Sequence, residues 1–151
     1  MMLQKNENFM QEALKEAKKG FRKNEVPVGA VIVKDGRIIA RAHSKVRTLK
    51  DPTAHAEILV IQKASKKLRN ERLNGCVLYV TIEPCAMCAG ALVLARVEKI
   101  VYGASEPKTG GIKSVFKIPT SKKLNHRIEI EAGVLEQQSA ALMKAFFKKR
   151  R

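Results

Sequence analysis

Apolar residues recur at three- and four-residue steps in the first segment of the chain. Met10, Ala13, Leu14, Ala17 and Phe21 form one stripe, the pattern of an amphipathic helix. Lys18 and Lys19 fall in its last turn, where cations favour the negative end of the helix dipole, and Gly20 reads as the stop signal. The period then changes. Residues 28–33 are mostly β-branched and apolar behind Pro27, and Lys34-Asp35-Gly36 leads into Arg37-Ile38-Ile39-Ala40. That pattern predicts two strands joined by an Asp-Gly hairpin turn. The polar stretch 43–53 predicts a loop, and loops on a rigid scaffold often carry function.

Helical spacing returns over 55–68, with Ile58, Leu59, Ile61 and Leu68 among the apolar positions. Residues 76–81 predict a strand. Residues 85–96 are apolar on nearly every side, which predicts a helix buried on both faces. A further strand is expected at 99–102. Residues 103–125 contain Gly110, Gly111 and two prolines and read as loop, with a short helix near Ser114. Residues 127–131 alternate as a strand that Gly133 ends. A closing helix over 135–147 carries Leu135, Ala141, Leu142, Ala145 and Phe146. No internal repeat appears. An early hairpin followed by strand–helix–strand crossovers predicts a three-layer α/β/α sandwich around a five-stranded mixed sheet.

A chain of 151 residues suits a single domain spanning 1–151. Its 45% apolar and 29% charged residues are a globular balance. The charge is lopsided: 30 Lys+Arg against 14 Asp+Glu leave +16. Such a surface attracts a polyanion, nucleic acid or an anionic membrane face. One small acidic metabolite does not need it. The longest apolar run, 85–95, falls short of the roughly 20 residues that span a bilayer. The N-terminus lacks the basic-then-apolar order of a signal peptide. Three cysteines cannot form a closed set of disulfides. Cys85-x-x-Cys88 without an export signal points to metal or redox chemistry, and the reducing cytoplasm is the expected compartment.

The chemistry concentrates in His55-Ala56-Glu57 and Pro84-Cys85-Ala86-Met87-Cys88. One imidazole and two thiolates make three zinc ligands, and a catalytic zinc keeps its fourth position for water. Pro84 suits a helix start because its missing N–H is not needed in the first turn. Cys85 and Cys88 then lie three apart on one side of that turn, where the helix N-terminus favours thiolates. His55 also stands where a helix should begin, so two helix N-termini can hold one metal. On a regular helix Glu57 points well away from His55. It reads as a carboxylate within reach of a zinc-bound water, whose pKa zinc brings to about 7. Such a group can carry a proton to a ring nitrogen and a leaving amine.

Other readings weigh against this one. A redox Cys-x-x-Cys pair lacks a thioredoxin-like context here. A structural zinc would show four protein ligands, with Cys76, His43 and His126 the candidates for the fourth. Cys76 opens an apolar strand and reads as a small core residue. His43 and His126 read as ordinary polar or substrate-facing residues.

His55-x-Glu57 with Pro84-Cys85-x-x-Cys88 resembles the signature of the zinc-dependent nucleoside and nucleobase deaminases. Over nearly its whole length the chain is similar to the bacterial tRNA-specific adenosine deaminases, the TadA family of the cytidine deaminase-like superfamily. The segments that carry the likeness are Glu25-Val26-Pro27-Val28-Gly29-Ala30-Val31, Asp51-Pro52-Thr53-Ala54-His55-Ala56-Glu57, Leu78-Tyr79-Val80-Thr81, Lys108-Thr109-Gly110, Asn125-His126-Arg127 and Phe146-Phe147. The resemblance implies hydrolytic deamination of adenosine to inosine at the wobble position of a tRNA anticodon. It implies one zinc per subunit on His55, Cys85 and Cys88, a zinc-activated hydroxide that attacks C6 of adenine, and Glu57 as proton shuttle. It implies a homodimer that binds the tRNA anticodon arm, no organic cofactor and no membrane. The residues it points to around the substrate are Val28, Ala30, Ser44, Pro84, Lys108, Thr109, Arg127 and Phe147.

Ser44 departs from the family, which usually has an asparagine there that helps hold the purine. Serine keeps one hydroxyl but is shorter and lacks the amide's paired donor and acceptor. It can equally sit in a plain loop turn. The ending Phe146-Phe147-Lys148-Lys149-Arg150-Arg151 joins stacking groups to cations, with one phenylalanine expected in the core and the exposed part on RNA. Lys63, Lys66, Lys67, Arg69 and Arg72 read as a solvated helix face. Two other functions compete: a zinc deaminase of free guanine or cytosine bases or nucleosides, and a non-catalytic RNA-binding subunit. The +16 charge speaks against the first and Glu57 against the second.

Overall fold

A computed structural model describes residues 2–150; Met1 and Arg151, the last of the terminal cations, lie outside the described residues. Helix α1 spans Met2–Arg22, and the hairpin strands are β1, Gly29–Lys34, and β2, Arg37–His43. A single helical turn α2, Val46–Leu49, precedes α3, Ala56–Leu68. Then come β3, Cys76–Ile82, α4, Ala86–Leu94, β4, Lys99–Ala104, β5, Glu129–Glu131, and α5, Glu136–Lys149. The sheet order is β2-β1-β3-β4-β5. β1 pairs antiparallel with β2 and β3, while β3, β4 and β5 run parallel. This is the expected mixed sheet.

Strand alternation sends successive side chains to opposite faces and so builds two cores. Ala30, Ile32, Leu78, Val80, Ile100 and Tyr102 face Val60 and Ala64 of α3 and Ala89 and Leu92 of α4. Val31, Val33, Tyr79 and Val101 face the other way, onto Met10 and Ala13 of α1, and α5 packs on β4 and β3. Each fully buried aliphatic side chain contributes about 1.5–3 kcal/mol by leaving water. At Gly29 α1 and β1 touch backbone to backbone: a Cβ there would collide with the Ala13 carbonyl oxygen and the Ala17 nitrogen. Asp35 and Gly36 both have positive φ, 51° and 76°, the mirror-image turn that Asp-Gly supplies.

The structure corrects several expectations. Helix α1 does not stop at Gly20 but runs to Arg22. Gly20 is buried there because its bare Cα makes room for the His43 ring, and Asn24, at φ 65°, supplies the left-handed residue that ends the helix. The predicted 43–53 loop gives its first residue to β2 and contains the turn α2. No short helix forms near Ser114; residues 111–114 are turns. Helix α4 is not buried on both faces, for Met87 and Leu94 are exposed, Leu94 to 81%. On α5 the buried positions are Ser139 and Phe146, while Ala141 and Ala145 face outward.

Candidate active site

The site forms where two connections leave the sheet. β2 runs through the 44–55 segment to α3, and β3 runs through Glu83 and Pro84 to α4. His55 is the N-cap residue of α3, with extended backbone at φ −70°, ψ 153°. Cys85 is the N-cap residue of α4, at φ −73°, ψ 177°. Pro84 therefore stands one residue ahead of the cap rather than inside the first turn, and Cys88 is the third helical residue. Both helices present their N-terminal ends to the same point. Neither cap residue makes a side-chain capping hydrogen bond; the His55 ring and the Cys85 sulfur instead meet each other and Cys88.

His55 Nδ1 lies 3.7 Å from Cys85 Sγ and 3.5 Å from Cys88 Sγ. The ligand atoms of the three residues all fall within 4.8 Å of one another. Among the described residues no other His, Cys, Asp or Glu trio gathers in this way. With Zn–S of about 2.3 Å and Zn–N of about 2.0–2.1 Å, sulfur and nitrogen across a tetrahedral zinc stand about 3.6 Å apart. The donor set therefore fits zinc in both spacing and chemistry. Cys76 is fully buried in the core and takes no part. His43 bonds the Ser44 carbonyl and His126 the Val97 carbonyl, so neither ring joins the cluster.

The electrostatics concentrate negative charge on one sulfur of the cluster and leave its neighbours holding their protons. A hydrogen bond from Cys88, and a second from His55, hold the Cys85 thiol down at about 4. The same bond to Cys85, with burial, pushes Cys88 up. The hydrogen bond to Cys85 raises His55. Glu57, in the first turn of α3 and only 4% exposed, is pushed up to about 7 by burial. Its carboxyl lies against its own backbone N–H and the Cys88 sulfur.

A cavity of about 370 Å³ opens over these groups, and His55, Glu57 and Cys85 line it together with Val28, Ser44 and Thr109. The Ser44 side chain is nearly buried, on the wall formed where β2 ends. Ala30 is not in this wall. It is fully buried in the core, because strand alternation at β1 turns it toward Tyr102 and Val80, which leaves no surface for a substrate. Pro84 is buried, and its carbonyl accepts the Gly111 N–H at 2.7 Å. Lys108 and Arg127 are exposed outside the cavity, and Phe147 is 47% exposed on α5. Phe146 is the core phenylalanine, edge-on to Phe21 at 5.9 Å.

The structure adds lining residues that local sequence reading missed: Glu25, Arg47, Glu83, Glu106 and Met143. Glu25 and Glu83 are fully or nearly buried carboxylates that accept backbone N–H groups from distant segments, α2 for Glu25 and the 106–114 loop for Glu83. Their signal was present, since each is a lone acid at the edge of an apolar run. Met143 comes from the C-terminal helix, and nothing near it in sequence marks it.

The sequence matches the MafB19-like deaminase family over residues 4–151. A tRNA-specific adenosine deaminase of Aquifex aeolicus (strain VF5) is 54% identical over 145 residues, 96% of this chain and 95% of that protein. A solved structure from work on A-to-I editing by tRNA:A34 deaminases at the wobble position of transfer RNA superposes with a TM-score of 0.86 at 45% identity, covering 89% of this chain and 98% of that one. A guanine deaminase structure from Bacillus subtilis is 46% identical, with a TM-score of 0.63 over 66% of this chain and 64% of that one. The matched fold, the donor trio and the near-full-length likeness agree, and the chain belongs to the bacterial tRNA-specific adenosine deaminase family of the cytidine deaminase-like superfamily.

Proposed function

We propose that this protein hydrolyses adenosine to inosine at the wobble position of a tRNA anticodon, releasing ammonia. One observation carries the reading. The His55, Cys85 and Cys88 donors meet the buried Glu57 carboxyl in one cavity, in a chain whose near-full-length relatives bear the name of that activity. His55, Cys85 and Cys88 would hold one zinc ion per chain, which when bound activates a water for attack on a ring carbon.

The remaining work falls to the chain's own groups. Glu57 carries two protons in turn at its carboxylate, both from the water that is added: the first goes to the purine ring nitrogen and the second to the departing amine. The cavity walls shield the base from bulk water. The Ser44 hydroxyl stands where a purine edge enters and offers one donor and one acceptor. An anticodon-loop base is already unpaired, so turning it into the cavity costs little. Lys108, Thr109, Arg127 and the exposed Phe147 would meet the RNA outside, and the +16 charge makes that binding salt-sensitive.

The whole chain acts in this reading as one deaminase domain, in the cytoplasm, where tRNA is processed. No helix among the described residues is long and apolar enough to cross a membrane. We infer a homodimer from the family resemblance, and the exposed apolar side chains Met87 and Leu94 of α4 support it.

The guanine deaminase likeness keeps one other reading in play, hydrolysis of a free base by the same cluster. The deciding experiment incubates zinc-loaded protein and Glu57→Ala with an anticodon stem-loop bearing a wobble adenosine, and with free adenosine, guanine and cytidine. Inosine in the stem-loop alone, absent with Glu57→Ala, is the expected result. No inosine from folded, zinc-loaded protein overturns the reading, and turnover of guanine or cytidine would establish the free-substrate one.

A further inference from the structure

Glu83 is buried to 2% exposure, and no cation accompanies it among its hydrogen-bond partners. Its carboxylate is satisfied by one loop. Oε1 accepts the Glu106 N–H at 3.0 Å and the Ser114 hydroxyl, and Oε2 accepts the N–H groups of Ile112, Lys113 and Ser114 at 3.2, 2.8 and 3.0 Å. A buried carboxylate that accepts this many donors ties down the backbone that supplies them.

The loop held this way supplies Glu106 and Thr109 to the cavity wall. The segment that holds it ends in a donor of the metal cluster. Beside the carboxylate, the Gly111 N–H bonds the Pro84 carbonyl, and Cys85 bridges Gly110. Gly110 is bare for a reason: a Cβ on it would strike the Glu83 carboxylate. Residues 105–118 have no helix or strand of their own. Their position over the site is set by this clamp together with the Ile112 side chain buried in the core.

We propose that Glu83 is a positioning residue that holds the 106–114 loop at a fixed height over the His55, Cys85 and Cys88 cluster, and that it governs anticodon-loop binding rather than the deamination step. This rests on the proposed function above. A group that orients a binding loop without touching the reacting atoms changes KM while leaving kcat nearly constant.

The test uses Glu83→Gln, Glu83→Ala, Gly110→Ala and the Glu83→Ala/Gly110→Ala pair. Zinc content, melting temperature, amide hydrogen exchange and stem-loop kinetics are measured on each. Glutamine keeps one acceptor and leaves the Glu106 N–H facing an amide donor. We expect full zinc, faster exchange across 106–114, KM raised about tenfold or more and kcat within about threefold of wild type, since a loop displaced by about 1 Å can cost up to about 10²-fold. Gly110→Ala alone should raise KM similarly, because its methyl drives the carboxylate and loop apart. In the Glu83→Ala background the same methyl should cost nothing further, a coupling that general destabilisation does not produce. Loss of zinc from Glu83→Gln, a fall in kcat at unchanged KM, or additive effects in the pair would overturn the proposal. Wild type that binds zinc yet makes no inosine in the stem-loop removes the functional reading, and this proposal with it. Active wild type with an unmoved KM in Glu83→Gln removes the proposal alone.

Discussion

His55 and Cys85 occupy the same position on two different helices: each is an N-cap residue in extended backbone, and His55 Nδ1 stands 3.7 Å from Cys85 Sγ. A metal bound there sits at two helix N-termini, where thiolate charge is favoured. We expect one zinc per chain in the purified protein. His55→Ala or Cys88→Ser should lose it on dialysis and lose inosine formation with it. Losing an outer partner of a metal ligand costs about 10–100-fold in affinity, so losing a ligand should cost more. Zinc retained by both variants through dialysis against a chelator would assign the metal to other residues.

Glu57 shares the turn that follows His55 but is not a donor of the trio. Replacing it with glutamine preserves shape and removes the exchangeable proton. Inosine formation should fall by about 10²–10⁴, the usual worth of a positioned acid–base group, while zinc content and melting temperature hold. If zinc leaves with the carboxylate, Glu57 belongs to the coordination sphere and the shuttle assignment fails.

These two residues also mark what was legible in the chain. Asp35-Gly36 sets its turn through local φ preference, and His55, Cys85 and Cys88 announce themselves by residue type and helix-start spacing. The alternation of Ala30, Val31, Ile32 and Val33 already encodes a sheet with two covered faces. Less legible was anything decided by a distant partner. Gly20 looks like a stop until the His43 ring is packed on it. Residues 86–94 look buried all round because apolar composition does not say whether another element covers the outer face. Ala30 looked like a substrate residue because its segment carries the family likeness, yet its side chain faces the core. Glu25 and Glu83 are the other side of this: their partners lie 22 to 31 residues away.

Glu25 gives a pH signature. Its carboxylate accepts the Arg47 N–H at 3.1 Å and the Thr48 N–H at 2.6 Å, which pins α2 beside the cavity. Burial pushes its pKa up, but the bonds to Thr48 and Arg47 outweigh this and leave it below its ordinary 4.5. The unfolded chain then takes the proton more readily than the folded one. The stabilisation is complete above the ordinary value and is lost as pH falls through the lower folded value. Glu25→Gln should be less stable than wild type by about 1–3 kcal/mol at pH 7. Chemical denaturation at pH 7 and at pH 3.5 should show that gap narrowing in acid. A gap independent of pH would mean that the carboxylate's charge contributes nothing.

Ser44 is nearly buried on the cavity wall, and its backbone N–H bonds the Val28 carbonyl at 3.1 Å, so its position is set by the sheet edge. If its hydroxyl meets the purine, Ser44→Ala should raise KM for the stem-loop about two- to tenfold, the worth of one neutral hydrogen bond. Ser44→Asn, with a longer amide and a paired donor and acceptor, should lower it. Steady-state kinetics on the wobble-adenosine stem-loop decide the matter. An alanine variant indistinguishable from wild type would reduce Ser44 to a turn residue.

Leu94 is 81% exposed and Met87 38%, seven residues apart on α4, and therefore near one face of the helix. An isolated exposed leucine is ordinary, but α4 also carries its outer glycine and alanine positions without a single charge from Ala86 to Leu94. That absence fits a surface covered by a second copy, in which two-fold symmetry places the same side chain on both sides of the contact. Burying one leucine contributes about 1.5–3 kcal/mol, and symmetry doubles it. Leu94→Glu should therefore weaken dimerisation by about 10²–10⁴-fold, with the metal centre on the inner side of the helix unchanged. Analytical ultracentrifugation over a concentration series reads this directly. Wild type should sediment as a dimer and Leu94→Glu as a zinc-loaded monomer. If both sediment alike, α4 is not the contact.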